Sequence, residues 1–257
     1  TFDWRGQGGS DRLTRNPRKG HVGRLAQYQA DLDTVIDQMK TRMPEPHFAL
    51  AHSMGGALFL EAAMRKVLPV ARLVVIAPMI GLELVKRPFL VRLLTKLLYW
   101  TGFGRSFVPG GGETAIATMP FEGNRLTSDP RRYARNAAVS AAAPHLAIGA
   151  PTVAWMRAAF KLMDRLSNPS APLGVRQPVL VMASGDDPIV STSAVERFAS
   201  RLKTGSALVI PKARHEILME TDAMRAQFWA AFDAFVPGET GSGVEKPQCG
   251  VVDTAIS

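Results

Sequence analysis

The chain has 257 residues, of which 46% are hydrophobic and 21% charged, enough apolar content to bury a sizeable core and too much for a wholly disordered polypeptide. Its net charge is +9, from 31 basic and 22 acidic residues. The excess is spread over Arg5, Arg12, Arg15, Arg18, Lys19, a cluster at residues 86–96, and Arg131, Arg132 and Arg135, with no recognition helix, zinc spacing or aromatic-basic RNA motif, which argues against nucleic acid and for solvated surface attracted to phospholipid headgroups.

After an opening loop, a helix is predicted over residues 25–43. Next come the apolar run Phe48-Ala49-Leu50, the segment Ala51-His52-Ser53-Met54-Gly55-Gly56, and the helix-favouring Ala57-Leu58-Phe59-Leu60-Glu61-Ala62-Ala63. Strand, sharp turn and helix in that order, with a serine at the turn, form the setting of a nucleophile elbow. The residues two before and two after the serine crowd each other there, and Ala51 and Gly55 are small. Such a turn lifts the Ser53 hydroxyl above the sheet and aims the Met54 backbone N–H at a developing oxyanion. A second strand is expected at residues 73–77, ending at Pro78. Strand and helix alternate as in a parallel sheet covered on both faces.

From residue 79 to 176 the strand signals vanish, and helix-like segments alternate with proline and glycine breaks; this range reads as a cap inserted between core strands. Leu82, Val85, Phe89, Leu93, Leu97 and Trp100 fall at steps of three or four, one stripe of a predicted helix, with Lys86, Arg87, Arg92 and Lys96 interrupting the apolar run. Four cations in so short a stretch argue against a transmembrane span, which needs ~20 largely uncharged residues. Two readings stay open: an interfacial helix touching anionic lipid through Lys86, Arg87, Arg92, Lys96 and Trp100, or a cap helix packed over its own core.

Strand and helix alternation returns at residues 177–236. A buried strand is predicted at 178–183, with the loop Ser184-Gly185-Asp186-Asp187-Pro188-Ile189-Val190 at its C-terminal end, then a strand at 207–210 with His215 in the following loop, then an amphipathic helix at 221–235. A serine hydroxyl is a weak nucleophile until a base takes its proton and an acid orients that base. His215 is the candidate base, and the order Ser, Asp, His is the one in which an elbow serine meets its partners. The acid precedes the apolar pair by two residues in the pattern Asp-x-Ile/Val-Val, which selects Asp187; Asp186 then reads as a turn residue. His52, His21, His47 and His145 read as structural, and no metal or cofactor site is legible. Residues 237–257 are polar and glycine-rich, with disorder expected; they hold the single cysteine, Cys249, which cannot form an internal bridge and is compatible with a reducing compartment.

The motifs Asp3-Trp4-Arg5-Gly6-Gln7-Gly8-Gly9-Ser10, Gly20-His21-Val22, residues 51–56, Asp187-Pro188-Ile189-Val190 and Ala213-Arg214-His215-Glu216-Ile217-Leu218 together resemble the bacterial lysophospholipase and monoacylglycerol lipase branch of the α/β-hydrolase superfamily. The likeness runs to about Val236. Asn124-Arg125-Leu126-Thr127-Ser128-Asp129 and Gly149-Ala150-Pro151-Thr152-Val153-Ala154-Trp155 are similar to its lysophospholipase side. The resemblance implies an α/β-hydrolase fold with a mostly parallel sheet and an inserted helical cap, and a Ser-His-Asp carboxylic-ester hydrolase acting on single-chain lipids. A lysophospholipase is the simplest form, with monoacylglycerol lipase or a general carboxylesterase as close variants. No cofactor is implied, and a cytoplasmic location peripheral to the inner membrane is expected; the oligomeric state stays open.

One departure matters. The family carries strands ahead of the motif at residues 3–10 and a His-Gly loop whose N–H is a second oxyanion donor, whereas this sequence opens on Thr1 beside that motif. The expectation is a core lacking its first strands, exposing one sheet edge and forfeiting a donor worth ~10²–10³ in rate. A non-catalytic lipid-surface binding fragment is the alternative.

Overall fold

The computed structural model describes residues 1–66 and 68–237; the tail expected to be disordered lies outside these from residue 238 onward. Four strands, β1 (Phe48–His52), β2 (Arg72–Ile76), β3 (Val179–Ser184) and β4 (Gly205–Ile210), form one parallel sheet in the order β1-β2-β3-β4. Alternation along each strand decides what it faces. Leu73, Val75, Val179 and Val181 join one buried cluster, while their neighbours Val74, Ile76, Leu180 and Met182 join the other.

Helices cover both faces, as an all-parallel sheet requires. On the first face lie α1 (Leu25–Arg42), α2 (Ser53–Arg65), α5 (Val153–Leu166) and α6 (Thr192–Ala199), contributing Leu32, Leu58, Leu162 and Phe198 to the cluster. On the second lies α7 (Asp222–Phe235), whose Phe228 is fully buried against Ile210 and Met182. Glu61 of α2 is buried too. Its carboxylate accepts from Gln29 of α1 at 2.7 Å, Arg65 at 2.9 Å and Arg165 of α5 at 2.7 Å, so three helices share one satisfied charge.

Between β2 and β3 the chain holds α3 (Pro88–Trp100), α4 (Pro130–Ala142) and α5, with no strand among the described residues. Within this range, read from sequence as cap, α5 contributes eight buried residues and sits in the main cluster with α1 and α2. Short bridges pin its entry to the opening loop and α3 region: Gly20 pairs with Pro151, and Phe107 with Thr152.

The helix expected from Leu82 onward begins only at Pro88, with Arg87 in a non-helical conformation. Proline disfavours helical backbone at the residue before it and is well placed at the first helical position, so it sets the start. Leu82 instead bridges Val190. The remaining stripe faces solvent: Phe89, Leu93, Leu97 and Trp100 are 75%, 56%, 59% and 69% exposed. The opposite side of α3 meets α5, where Arg92 pairs with Asp164 at 2.5 Å and lies over the Phe160 ring.

Replacing Phe228 by Ala is expected to destabilise the fold by about 3–5 kcal/mol, the cost of a large buried cavity. Equilibrium urea unfolding reads this as a lower midpoint.

Candidate active site

Three loops leave the C-terminal ends of parallel strands on one rim, the position where open α/β sheets place their reactive groups. Ser53 stands where β1 turns into α2, with φ at 51°. That left-handed conformation strains a non-glycine residue by roughly 1–2 kcal/mol, and packing holds it there: the Ser53 carbonyl accepts from Met79 N–H at 3.0 Å. The crowding anticipated at Gly55 falls mainly one residue later. A Cβ on Gly56 would meet Pro78 at 3.2 Å and the Ala51 carbonyl oxygen at 3.4 Å, whereas one on Gly55 would meet only Trp4 at 3.5 Å. As the second residue of α2, Met54 has a backbone N–H without an intrahelical acceptor, because the first turn of any helix leaves its donors free.

The loop after β3 carries both aspartates. Asp187 is buried, and its Oδ1 accepts from Ile189 N–H at 2.8 Å and Val190 N–H at 2.9 Å, while Oδ2 faces His215. Asp186 is exposed and donates its backbone N–H to the Ala213 carbonyl at 2.9 Å. Two backbone contacts thus tie this loop to the one bearing the histidine: Asp186 to Ala213, and Gly185 N–H to Ile210 at 2.9 Å. Gly185 permits the approach, since a Cβ there would lie 2.9 Å from that same Ile210 oxygen.

His215, in the loop after β4, joins the two. Its Nδ1 lies 2.8 Å from Asp187 Oδ2 and its Nε2 lies 2.9 Å from Ser53 Oγ. A carboxylate only accepts, so Nδ1 carries the proton, which leaves Nε2 as the acceptor for the serine hydroxyl. The geometry can therefore move a proton from Oγ to Nε2 while the carboxylate stabilises the resulting imidazolium.

His52, read from sequence as structural, also reaches this cluster. Its Nε2 lies 3.0 Å from the His215 carbonyl oxygen and donates to it, and the two rings are 4.8 Å apart. Burial, reinforced by the neighbouring His215, pushes the His52 imidazole down to about 4. Burial raises the Glu216 carboxyl, an effect opposed by His215. The opening motif reaches the elbow as well: Gln7 Nε2 lies 3.9 Å from Met54 Sδ, and Trp4 stands beside Gly55. Sequence spacing held no signal for these contacts, because they join segments about fifty residues apart. A cavity of about 530 Å³ opens at the opposite rim among Arg65, Lys66, Arg176 and Lys203, away from Ser53.

A parallel sheet flanked by helices, with an elbow serine, an aspartate and a histidine on the loops after β1, β3 and β4 at one rim, defines the class: an α/β-hydrolase. Residues 1–222 match the family described as Hydrolase_4, serine aminopeptidase S33. The chain is 32% identical over 236 residues to lysophospholipase L2 of Escherichia coli strain K12, covering 88% of this chain and 68% of that protein. It is 27% identical to the probable lysophospholipase L2 of Haemophilus influenzae, covering 91% and 73%. Among solved structures it is similar to the Paleococcus ferrophilus monoacylglycerol lipase, with a TM-score of 0.68 at 20% identity, covering 91% of this chain and 81% of that one. A soluble variant of monoglyceride lipase from Saccharomyces cerevisiae, in complex with a substrate analog, gives 0.66 at 20% identity, covering 91% and 74%. The chain belongs to this Hydrolase_4 family, to which its likeness to the lysophospholipase L2 proteins also points, and it shares its fold with the monoacylglycerol lipases.

A depressed imidazole pKa has a definite sign. Between about 6.5, the unfolded value, and about 4, the unfolded chain binds a proton at His52 that the folded chain does not. Stability is therefore expected to fall as pH drops through that window. In His52→Gln, which keeps a side-chain N–H donor but cannot titrate, the slope of the urea midpoint against pH should be shallower.

Proposed function

We propose that this chain is a serine carboxylic-ester hydrolase acting on lipids with one acyl chain, and that lysophospholipids are its substrate class. The observation that carries the reading is the 2.9 Å approach of His215 Nε2 to Ser53 Oγ, backed by Asp187 at 2.8 Å. The substrate class rests on the curated relatives' names and on the resemblance of residues 124–129 to their lysophospholipase side.

In this reading, His215 Nε2 takes the hydroxyl proton as Ser53 Oγ attacks the ester carbonyl. The Met54 N–H donates to the carbonyl oxygen as it gains charge. Asp187 holds the imidazolium formed, which returns the proton to the departing alcohol. Water, deprotonated by His215, then attacks the acyl-serine, and the imidazolium returns that proton to Ser53 Oγ as the acyl bond breaks and the fatty acid leaves.

The substrate's location bears on α3. Its outward row of Phe89, Leu93, Leu97 and Trp100 is a contiguous apolar stripe of a kind that monomeric proteins seldom leave bare. Lys86, Arg87 and Lys96 are exposed beside it and make no ion pair among the described residues, whereas Arg92 is occupied by Asp164. No described helix is long and apolar enough to cross a membrane. We assign α3 as an interfacial helix that seats on anionic phospholipid, the apolar row entering the acyl boundary and the three cations meeting headgroups. In the corresponding domain division, residues 79–152 form the cap and α5 belongs to the hydrolase core.

Replacing Ser53 by Ala should abolish labelling by a fluorophosphonate probe and lower lysophosphatidylcholine hydrolysis by ~10⁴-fold or more. Retained labelling would overturn the assignment. Replacing Lys86, Arg87 and Lys96 together by Gln should weaken binding to phosphatidylglycerol-containing vesicles by ~100-fold at low salt, at about 1 kcal/mol per cation. Turnover of a soluble short-chain nitrophenyl ester should stay within about twofold, since none of the three side chains bonds to Ser53, His215 or Asp187; equal loss of both activities would count against the membrane role.

A further inference from the structure

Glu220 is completely buried, and it takes no part in the proton transfers described above. It lies between the short 3-10 turn Ile217–Met219 and α7, five residues beyond His215. Its Oε1 accepts from the backbone N–H of Arg214 and from that of Ser128, both at 2.9 Å. Its Oε2 accepts from the Ser128 hydroxyl and, at 3.3 Å, from Thr221 N–H. Four donors converge on one carboxylate from two segments far apart in sequence. A carboxylate is the one side chain that offers acceptor sites for four donors on two oxygens, and burying its charge is tolerated only when those sites are filled.

The two segments are the loop that carries His215 and the stretch at residues 124–128 ahead of α4. Further bonds run between them. Glu216 N–H donates to the Leu126 carbonyl at 2.8 Å, the Arg214 guanidinium donates to the carbonyls of Asn124 at 3.1 Å and Thr127 at 3.2 Å, and the Thr127 hydroxyl donates to the Met219 carbonyl at 2.6 Å. The backbone N–H groups on either side of His215 are thus both held by, or through, this stretch. A loop has no ladder of its own to fix its path. Apart from these anchors, His215 is held by the His52 contact, by Asp187 and, on one side only, by the Asp186 N–H bond to the Ala213 carbonyl.

We propose that Glu220 is a positioning residue: it clamps the His215 loop to residues 124–128 of the cap and thereby sets the imidazole at hydrogen-bonding distance from Ser53. The proposal rests on the reading of Ser53 and His215 as the reacting pair. A misplacement of about 1 Å at such a pair costs on the order of 10²-fold in rate, and it acts on the chemical step rather than on substrate capture.

The test uses the full chain and a soluble short-chain nitrophenyl ester, so that membrane binding does not enter. Glu220→Ala is expected to lower kcat by ~10–100-fold with KM within about twofold. The downfield proton resonance of the His215–Asp187 hydrogen bond should broaden or shift in the same variant. Glu220→Gln keeps an acceptor for the two backbone N–H groups on Oε1 and is expected to recover kcat to within about fivefold of the parent. A folded Glu220→Ala protein with unchanged kcat and resonance overturns the proposal. Should that variant not fold, Ser128→Ala decides, since it deletes one donor and leaves both loops' backbones intact: a fall in kcat of about two- to fivefold supports the clamp, and no change refutes it. Ser53→Ala run alongside separates the two claims. An inactive Ser53 variant beside a fully active Glu220→Ala sinks the clamp alone, whereas an active Ser53 variant sinks both.

Discussion

A hydroxyl and an imidazole separated by 162 positions in sequence stand 2.9 Å apart, and the rest of the molecule can be understood as the means of keeping them there. Neither group has much conformational freedom left. Ser53 is locked by a backbone torsion that only a tightly packed turn sustains, and His215 is grasped at its ring by Asp187, at its carbonyl by His52 and at its flanking amides by residues tied to the cap. The entropy of ordering three loops is offset by two apolar clusters, one on each face of the sheet, that fix the strand ends from which those loops depart.

That arrangement explains why the buried polar groups of this chain gather where they do. Glu61 joins three helices behind the elbow, Asp187 closes its own turn while orienting the imidazole, and Glu220 joins loop to cap. Each is a carboxylate with several donors, so each fixes several segments at once. A hydrophobic contact of similar area, being non-directional, would hold the segments together without fixing the angle between them.

The fold and much of the site were legible in the sequence because both depend on local signals. The elbow is written in six consecutive residues, and the preference for Asp187 over Asp186 followed from its spacing to Ile189 and Val190, whose N–H groups its Oδ1 indeed accepts. What escaped was non-local. The contact of His52 with the His215 carbonyl, the reach of Gln7 to Met54 and the whole Glu220 cluster join segments that no periodicity connects. The start of α3 departs from the apolar spacing for a different reason. Leu82 and Val85 continue the apolar spacing of the stripe, but Pro88 constrains the residue before it, and backbone sterics overrode the pattern. Helix α5 falls in the range that reads as cap because strand signals vanish there, and its buried side chains join the main cluster with those of α1 and α2.

The segment between β2 and β3 is joined to the rest of the molecule by two different kinds of contact. On one side α3 meets α5 and the main cluster through Arg92 over the Phe160 ring, its exposed ion pair with Asp164, Arg157 over the Tyr99 ring, and the side chains of Val91 and Thr95. On the other, residues 124–128 are bound to the His215 loop through a fully buried carboxylate and a set of backbone hydrogen bonds, contacts that cannot be loosened singly without leaving an unsatisfied polar group. These bonds lie on the side that bears the proposed base, whose Nε2 stands 2.9 Å from the serine hydroxyl, whereas the apolar row of α3 faces solvent on the other.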